Sequence, residues 1–165
     1  MIEKFRGKHR WLSNFWAASV MLDGLLYPTT EHGYQAGKTL DPQVRETIRL
    51  LPTAALAKRF GRRFGRSLQL RPGWNDAYRT QLMRGLLKQK FEHLDLRRRL
   101  LDTGEEPLIE SGHWHDVFWG RCSCAKCGGK GQNRLGILLA EIRAECRAKD
   151  AANTTTAHWR LDDAA

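Results

Sequence analysis

The chain has 165 residues, 41% of them apolar and 28% charged, the balance of a chain that buries a core and not of a disordered one. Lys and Arg outnumber Asp and Glu by 28 to 18, a net charge of +10, which suits phosphate-bearing partners, nucleotide or nucleic acid, and equally suits a well-solvated surface. The apolar runs, such as residues 137–140, fall far short of the ~20 residues that span a bilayer, and the opening residues lack the apolar stretch of a secretory signal. A cytoplasmic protein with no membrane partner is the expectation.

Residues 17–29 read as a β-hairpin, with Val20, Leu22, Leu25 and Tyr27 flanking Asp23-Gly24, a pair suited to the positive φ angles of a tight turn. Thr29 or Thr30 then caps a helix that places Glu31 in its first turn and runs to about Lys38. Asp41-Pro42 starts a second helix, which Pro52 ends, and Thr53 caps a third through about Phe60. Residues 58–71 carry six basic side chains and no acidic one, and read as a loop or short strand. A long helix over 74–101 follows, on the spacing of Leu82, Met83, Leu86, Leu87, Lys90, Phe91 and Leu94, with Asp102-Thr103-Gly104 as its stop. Residues 105–132 form a connection rich in Gly, His, Trp and Cys, of a length usually kept for function. Asn133 can cap a last helix built on Leu135, Leu138, Leu139, Ile142 and Cys146. The sum is a helix-rich α+β single domain over residues 1–149 with a small N-terminal β-hairpin or sheet, followed by a flexible C-terminal tail over 150–165.

Three segments carry chemistry. On a helix, Glu31, Tyr34, Gln35 and Lys38 share one face. A carboxylate, an amide and an amine so aligned can form the polar wall of a pocket, and the same spacing fits a solvated face. Gly33, Ala36 and Gly37 leave the other side small, as close helix packing requires. In residues 110–120, Asp116 lies among Trp114, Phe118 and Trp119; such rings can stack on a planar base, or they can be core, with Asp116 a loop cap and His113 and His115 structural. Finally, Cys122, Cys124 and Cys127 can hold tetrahedral zinc, with Cys146 or a histidine as fourth ligand, although only half of a paired CxxC pattern is present. The glycines that follow, leading into a helix N-terminus, offer backbone N–H groups to a phosphate.

Taken in order, Trp11-Leu12-Ser13-Asn14-Phe15, the hairpin, residues 27–38, Trp74, Met83, Lys90-Phe91, residues 101–104, 108–110, 116–120 and 131–136 resemble the NADAR or YbiA-like family over roughly residues 5–147. That resemblance implies N-glycosidase activity, either on ribosylamine intermediates of riboflavin biosynthesis or in removing ADP-ribose from guanine in nucleic acid. It carries over Glu31, Lys38, Trp74, Asp116 and Asn133; with them the expected site has Glu31, Lys38 and Asp116 as catalytic residues and Asn14, Tyr34, Gln35, Trp74, Trp119 and Asn133 as substrate-binding ones. The cysteine-rich insertion is absent from many relatives, which bears on substrate choice more than on chemistry. Both substrate classes attach ribose to an exocyclic nitrogen that bears a hydrogen. Such a glycosylamine can open to an imine that an unprotonated lysine intercepts, or be cleaved through an oxocarbenium-like state beside a carboxylate. Neither route requires a cofactor, and zinc enters only as a structural element. The reading of another class is a basic, zinc-stapled nucleic-acid-binding module, which leaves the aligned Glu31 and Lys38 without a purpose.

Overall fold

The computed structural model describes the backbone of residues 1–162 and the side chains through residue 152. In chain order the elements are β1 (Ile2–Glu3), a 3-10 helix (Gly7–Leu12), β2 (Ala17–Leu22), β3 (Leu25–Thr29), α1 (Thr30–Ala36), α2 (Pro42–Arg49), α3 (Ala54–Gly61), α4 (Asp76–Lys90), α5 (Leu94–Asp102), β4 (Leu108–Ile109), β5 (Ser111–Gly112), β6 (Arg121–Cys122) and α6 (Arg134–Asp162). The chain is a helix-rich α+β protein whose described strands pair only two by two. It divides into two units, Lys4–His93 and a second in which Met1–Glu3 joins the chain from Leu94 onward.

In the first unit, Asp23 and Gly24 both take positive φ, 48° and 79°, and turn β2 back onto β3. The register pairs Val20 with Tyr27, and both side chains are buried. β3 then runs straight into α1. Thr29 stays extended and its hydroxyl accepts the His32 N–H, which settles the choice between the two threonines. Asp41 and Thr53 cap α2 and α3 in the same way, as expected. All seven residues of α1 are buried although most are polar. Its small side allows this, because a Cβ on Gly33 would lie 3.1 Å from Leu86 and 3.2 Å from Val20, and one on Gly37 would overlap Leu82. The α-helix ends at Ala36, earlier than the sequence implies. Lys38 N–H bonds Gln35 O at 3.2 Å and Thr39 N–H bonds Ala36 O at 3.2 Å, so the last turn tightens and still carries Lys38.

The long helix expected over 74–101 is two helices. Asn75 caps α4, which leaves Trp74 outside it, and α4 stops at Lys90. Phe91 leaves helical geometry and packs edge-on to Trp11 with ring centres 6.2 Å apart. Leu94, which extends the apolar spacing on paper, is 79% exposed. The core of this unit is Leu12, Val20, Tyr27, Ile48, Met83, Leu86, Leu87 and Phe91; burying each aliphatic side chain contributes about 1.5–3 kcal/mol before the entropy of ordering it is counted.

In the second unit, β1 lies parallel to β4, pairing Ile2 with Leu108, and β5 lies parallel to β6. β4, β5 and β6 all fall within the connection over 105–132 that the sequence presents as irregular; two-residue strands have no alternation to detect. Asn133 precedes α6 but is not a side-chain cap. It sits at φ 50°, its amide oxygen accepts the Glu110 N–H and its amide nitrogen donates to Leu108 O, both at 2.9 Å, so it ties α6 to the end of β4. Leu135, Leu138, Leu139 and Ile142 are buried along α6, with Arg143 donating to Thr103 Oγ1 and Glu106 O. The α6 backbone continues to Asp162, past the point where the apolar period ends. Of the expected tail over 150–165, the side chains from 153 and all of 163–165 lie outside the described residues. Among the described residues no helix is long and apolar enough to cross a membrane.

Candidate active site

The first unit gathers six of the sequence-predicted residues around α1. Glu31 is buried, and Gln35, one turn on, donates Nε2–H to its Oε1 at 2.7 Å. Glu31 N–H bonds Asn14 O at 3.1 Å, so the turn after the 3-10 helix backs the acid directly. Asn14 Oδ1 and Gln35 Oε1 are buried acceptors with no hydrogen-bond partner among the described residues, a state that costs free energy and that a donor-rich ligand relieves. Gln35 also fills the space over Gly61, where a Cβ would overlap its Oε1.

Lys38 is half-buried beside these groups. Its Nζ lies 5.5 Å from the centre of the Tyr34 ring and 5.8 Å from that of Phe64. Burial lowers its pKa from 10.5 to about 8; the Glu31 charge opposes the fall, and Arg79 and Lys58 add to it. The amine is thus partly neutral near pH 8, a condition for nucleophilic work. Arg71 N–H holds Lys38 O at 2.7 Å. From Tyr34 the aromatic surface runs on to Trp74, 5.7 Å away, and from Trp74 to Tyr78, 5.6 Å away, with the Arg71 guanidinium 4.4 Å from the centre of the Tyr78 ring. Phe64, Arg71 and Tyr78 did not emerge from the sequence. The one available signal was Trp74 and Tyr78 four residues apart at the start of a helix.

Two more polar residues are settled by their partners. His32 Nε2 meets Leu51 O at 3.0 Å and so carries the proton, while Nδ1 accepts from Thr29 Oγ1 at 2.8 Å; burial lowers its pKa, and the ring is a neutral brace of the cap. Lys90 is fully buried, donates to Ser13 O at 2.7 Å, and is lowered by burial to about 7. It secures the residue that precedes Asn14.

The second unit carries Asp116, Trp119, Asn133 and the cysteines. Asp116 Oδ1 accepts the backbone N–H groups of Phe118 and Trp119 at 3.3 and 2.9 Å, an Asx turn of the kind expected of a loop cap. Trp119 meets Phe118 edge-on at 4.8 Å, and Arg134 lies over Phe118 at 4.6 Å. The phosphate cradle expected before α6 is not open. Gln132, Asn133, Arg134 and Leu135 donate their N–H groups to the carbonyls of Val117, Gly120, Phe118 and Trp119. Asn133, with both amide groups on the backbone, acts on position. Cys122, Cys124 and Cys127 lie together with His115, their four ligand atoms within 4.8 Å of one another, and can hold a metal ion. Cys146 belongs instead to the buried side of α6.

The NADAR domain family matches residues 3–147, nearly the whole described chain, and the chain belongs to that family. N-glycosidase YbiA of Escherichia coli (strain K12) is 42% identical over 134 residues, which cover 81% of this chain and 79% of that one. An N-glycosidase of Nostoc punctiforme is 38% identical over 139 residues, 82% of this chain and 84% of the relative. A riboflavin biosynthesis protein of Vibrio vulnificus is 35% identical over 138 residues, 83% of this chain but only 35% of that longer protein. The NMR structure of E. coli YbiA superposes with a TM-score of 0.76 at 38% identity, covering 91% of this chain and 86% of that one. The chain is an enzyme of the N-glycosidase class, and these relatives do not favour the binding-module reading.

Proposed function

We propose that this N-glycosidase cleaves the bond between C1 of a ribose phosphate and an exocyclic base nitrogen, as in ribosylamine intermediates of riboflavin biosynthesis, with Lys38 and Glu31 at the reacting carbon. One observation carries the reading: a buried carboxylate, steadied by Gln35, shares its surroundings with a lysine whose amine burial lowers to about 8. A resting ion pair on the surface would leave that amine fully charged.

The steps follow from the groups. The glycosylamine opens to an imine, moving the N–H proton to the ring oxygen. The neutral Lys38 amine adds to C1. Glu31 relays the two protons that the lysine nitrogen loses, one after the other, to the departing nitrogen, and the C1–N bond breaks to release the base amine and leave a lysine–sugar Schiff base. Water, deprotonated by Glu31, then adds to C1; Glu31 passes both water protons in turn to the lysine nitrogen, the sugar carbonyl forms and Lys38 leaves as the free amine. The net change is one water consumed, with base amine and ribose phosphate released. No bound cofactor is called upon. Trp74, continuous with Tyr34 and Tyr78, supplies a face for the base, and the unpartnered oxygens of Asn14 and Gln35 accept from sugar hydroxyls. On family resemblance Asp116 is assigned to orienting the ribose; Trp119 is kept as a substrate-binding residue, and Asn133, which the resemblance gives to the sugar hydroxyls or phosphate, is assigned to positioning because its amide is taken by Leu108 O and Glu110 N–H. The cellular setting that goes with such a substrate is cytoplasmic.

The test is release of base from ribosylaminouracil phosphate. Glu31→Gln and Lys38→Ala are each expected to lose about 10²-fold or more in kcat with the fold intact by circular dichroism. Full activity in either variant overturns the assignment. Turnover of ADP-ribosylated guanine in DNA alone, weakening as salt rises, would move the substrate to nucleic acid and give the exposed basic residues Arg59, Arg62, Arg63 and Arg66 a role in binding it.

A further inference from the structure

We propose that His115, Cys122, Cys124 and Cys127 form a tetrahedral Cys3His zinc site that fixes the loop between β5 and α6. Zinc bonds thiolate sulfur at ~2.3 Å and imidazole nitrogen at ~2.0 Å, so the edges of a regular tetrahedron are about 3.8 Å between sulfurs and about 3.5 Å from sulfur to nitrogen. His115 Nδ1 lies 3.2 Å from Cys127 Sγ and 3.5 Å from Cys124 Sγ, and all four ligand atoms fall within 4.8 Å of one another. The four atoms therefore close around an ion with movements of an ångström or less.

The backbone is already arranged for it. Cys124-Ala125-Lys126-Cys127-Gly128 folds as a knuckle in which the N–H groups of Cys127 and Gly128 both reach Cys124 O, at 3.1 and 2.9 Å. Gly128 takes φ 58°, which a side chain would oppose. Two N–H groups point at sulfur, His115 N at Cys122 Sγ (3.3 Å) and Cys127 N at Cys124 Sγ (3.4 Å), and such bonds stabilise a metal-bound thiolate. His115 itself sits at φ 59°. A left-handed histidine is strained, and here that conformation brings the imidazole to the thiols. Gly129 N–H to Cys122 O and Cys122 N–H to Lys130 O, both at 2.9 Å, close the loop behind the ligands. Three thiolates and one Zn²⁺ leave a single negative charge, with Arg121, Lys126 and Lys130 interspersed among them in the sequence. Soft sulfur ligands in this number select zinc over magnesium or calcium.

Binding stabilises the segment that carries Asp116, the residue next to His115. The proposal stands independently of the roles given to Glu31 and Lys38, because it is read by metal content and not by turnover. Protein purified under reducing conditions from zinc-supplemented cells is expected to hold about one zinc per chain by plasma mass spectrometry. Cys124→Ser and His115→Ala should lose most of that zinc, and Cys146→Ser should keep it. Cobalt in place of zinc should show the visible bands of tetrahedral cobalt and a sulfur-to-cobalt charge-transfer band in the near ultraviolet, both lost in Cys124→Ser. Chelation should open Lys126 and Lys130 to trypsin. Zinc far below one per chain, a disulfide among the three cysteines in the reduced preparation, or equal zinc in Cys124→Ser and the parent chain would overturn the proposal.

Discussion

Replacing Lys90 by Met should flatten the pH dependence of stability by a calculable amount. The side chain is fully buried, with its amine on Ser13 O and 5.3 Å from the centre of the Phe91 ring, and burial lowers its pKa from 10.5 to about 7. The sign follows from linkage. Between those two values the unfolded chain holds a proton that the folded chain has released, so stability rises with pH across the window and is level below about 7 and above about 10.5. Each pH unit inside the window is worth about 1.36 kcal/mol. From pH 7 to 9, allowing for the half-titrated folded state at pH 7, the gain is about 2 kcal/mol. Lys90→Met removes that gain, together with one hydrogen bond worth about 1 kcal/mol at every pH. Urea unfolding of both proteins at pH 7 and pH 9 gives the double difference, from which every other titrating group, Lys38 included, cancels. A value near 2 kcal/mol is expected. Parallel pH dependences in the two proteins would show that Lys90 stays charged in the folded state and would refute the reasoning.

In the proposed mechanism the neutral form of Lys38 is the reactive one, so kcat/KM should climb about tenfold from pH 7 to 9 through an apparent pKa near 8; a profile that is level or falls across that range contradicts the role as nucleophile. Gly61→Ala should act through Gln35, since the new Cβ overlaps its Oε1 and pushes the amide off Glu31. The loss expected in kcat is about 10- to 100-fold, and adding Gln35→Ala should make the Gly61→Ala protein no worse than Gln35→Ala alone. Multiplicative losses in the double variant would show that the glycine acts by another path.

How far the sequence reaches depends on whether a feature is local. Asp23-Gly24, Thr29, Asp41-Pro42 and Thr53 act through their own backbone, and their turn and caps appear where the residues indicate. Gly33 and Gly37 foretell the approach of α4 for an equally simple steric reason. What is not local is not legible. The break at Phe91 is decided by Trp11, eighty residues earlier, while the apolar spacing runs on through an exposed Leu94. Asn133 has the residue type of a helix cap, but Leu108 O and Glu110 N–H compete for its amide and win. The N–H groups before α6 look free in the sequence because the carbonyls of residues 117–120 that take them lie in a loop with no periodicity. At the candidate site the polar face of α1 is legible from spacing, whereas its aromatic extension is legible only in the local pair Trp74 and Tyr78; Phe64 reaches Lys38, and Trp74 reaches Tyr34, through tertiary packing. Likewise three thiols within six residues announce a cluster, but the choice of His115 over Cys146 needs the loop folded back on itself.

Quenching turnover of ribosylaminouracil phosphate with borohydride and weighing the intact protein tests the Lys38 adduct most directly. A covalent increase of one reduced pentose phosphate, mapped by peptide sequencing to Lys38 and missing from Lys38→Met, is the expected result. Undiminished base release with no mass increase on any lysine would contradict it.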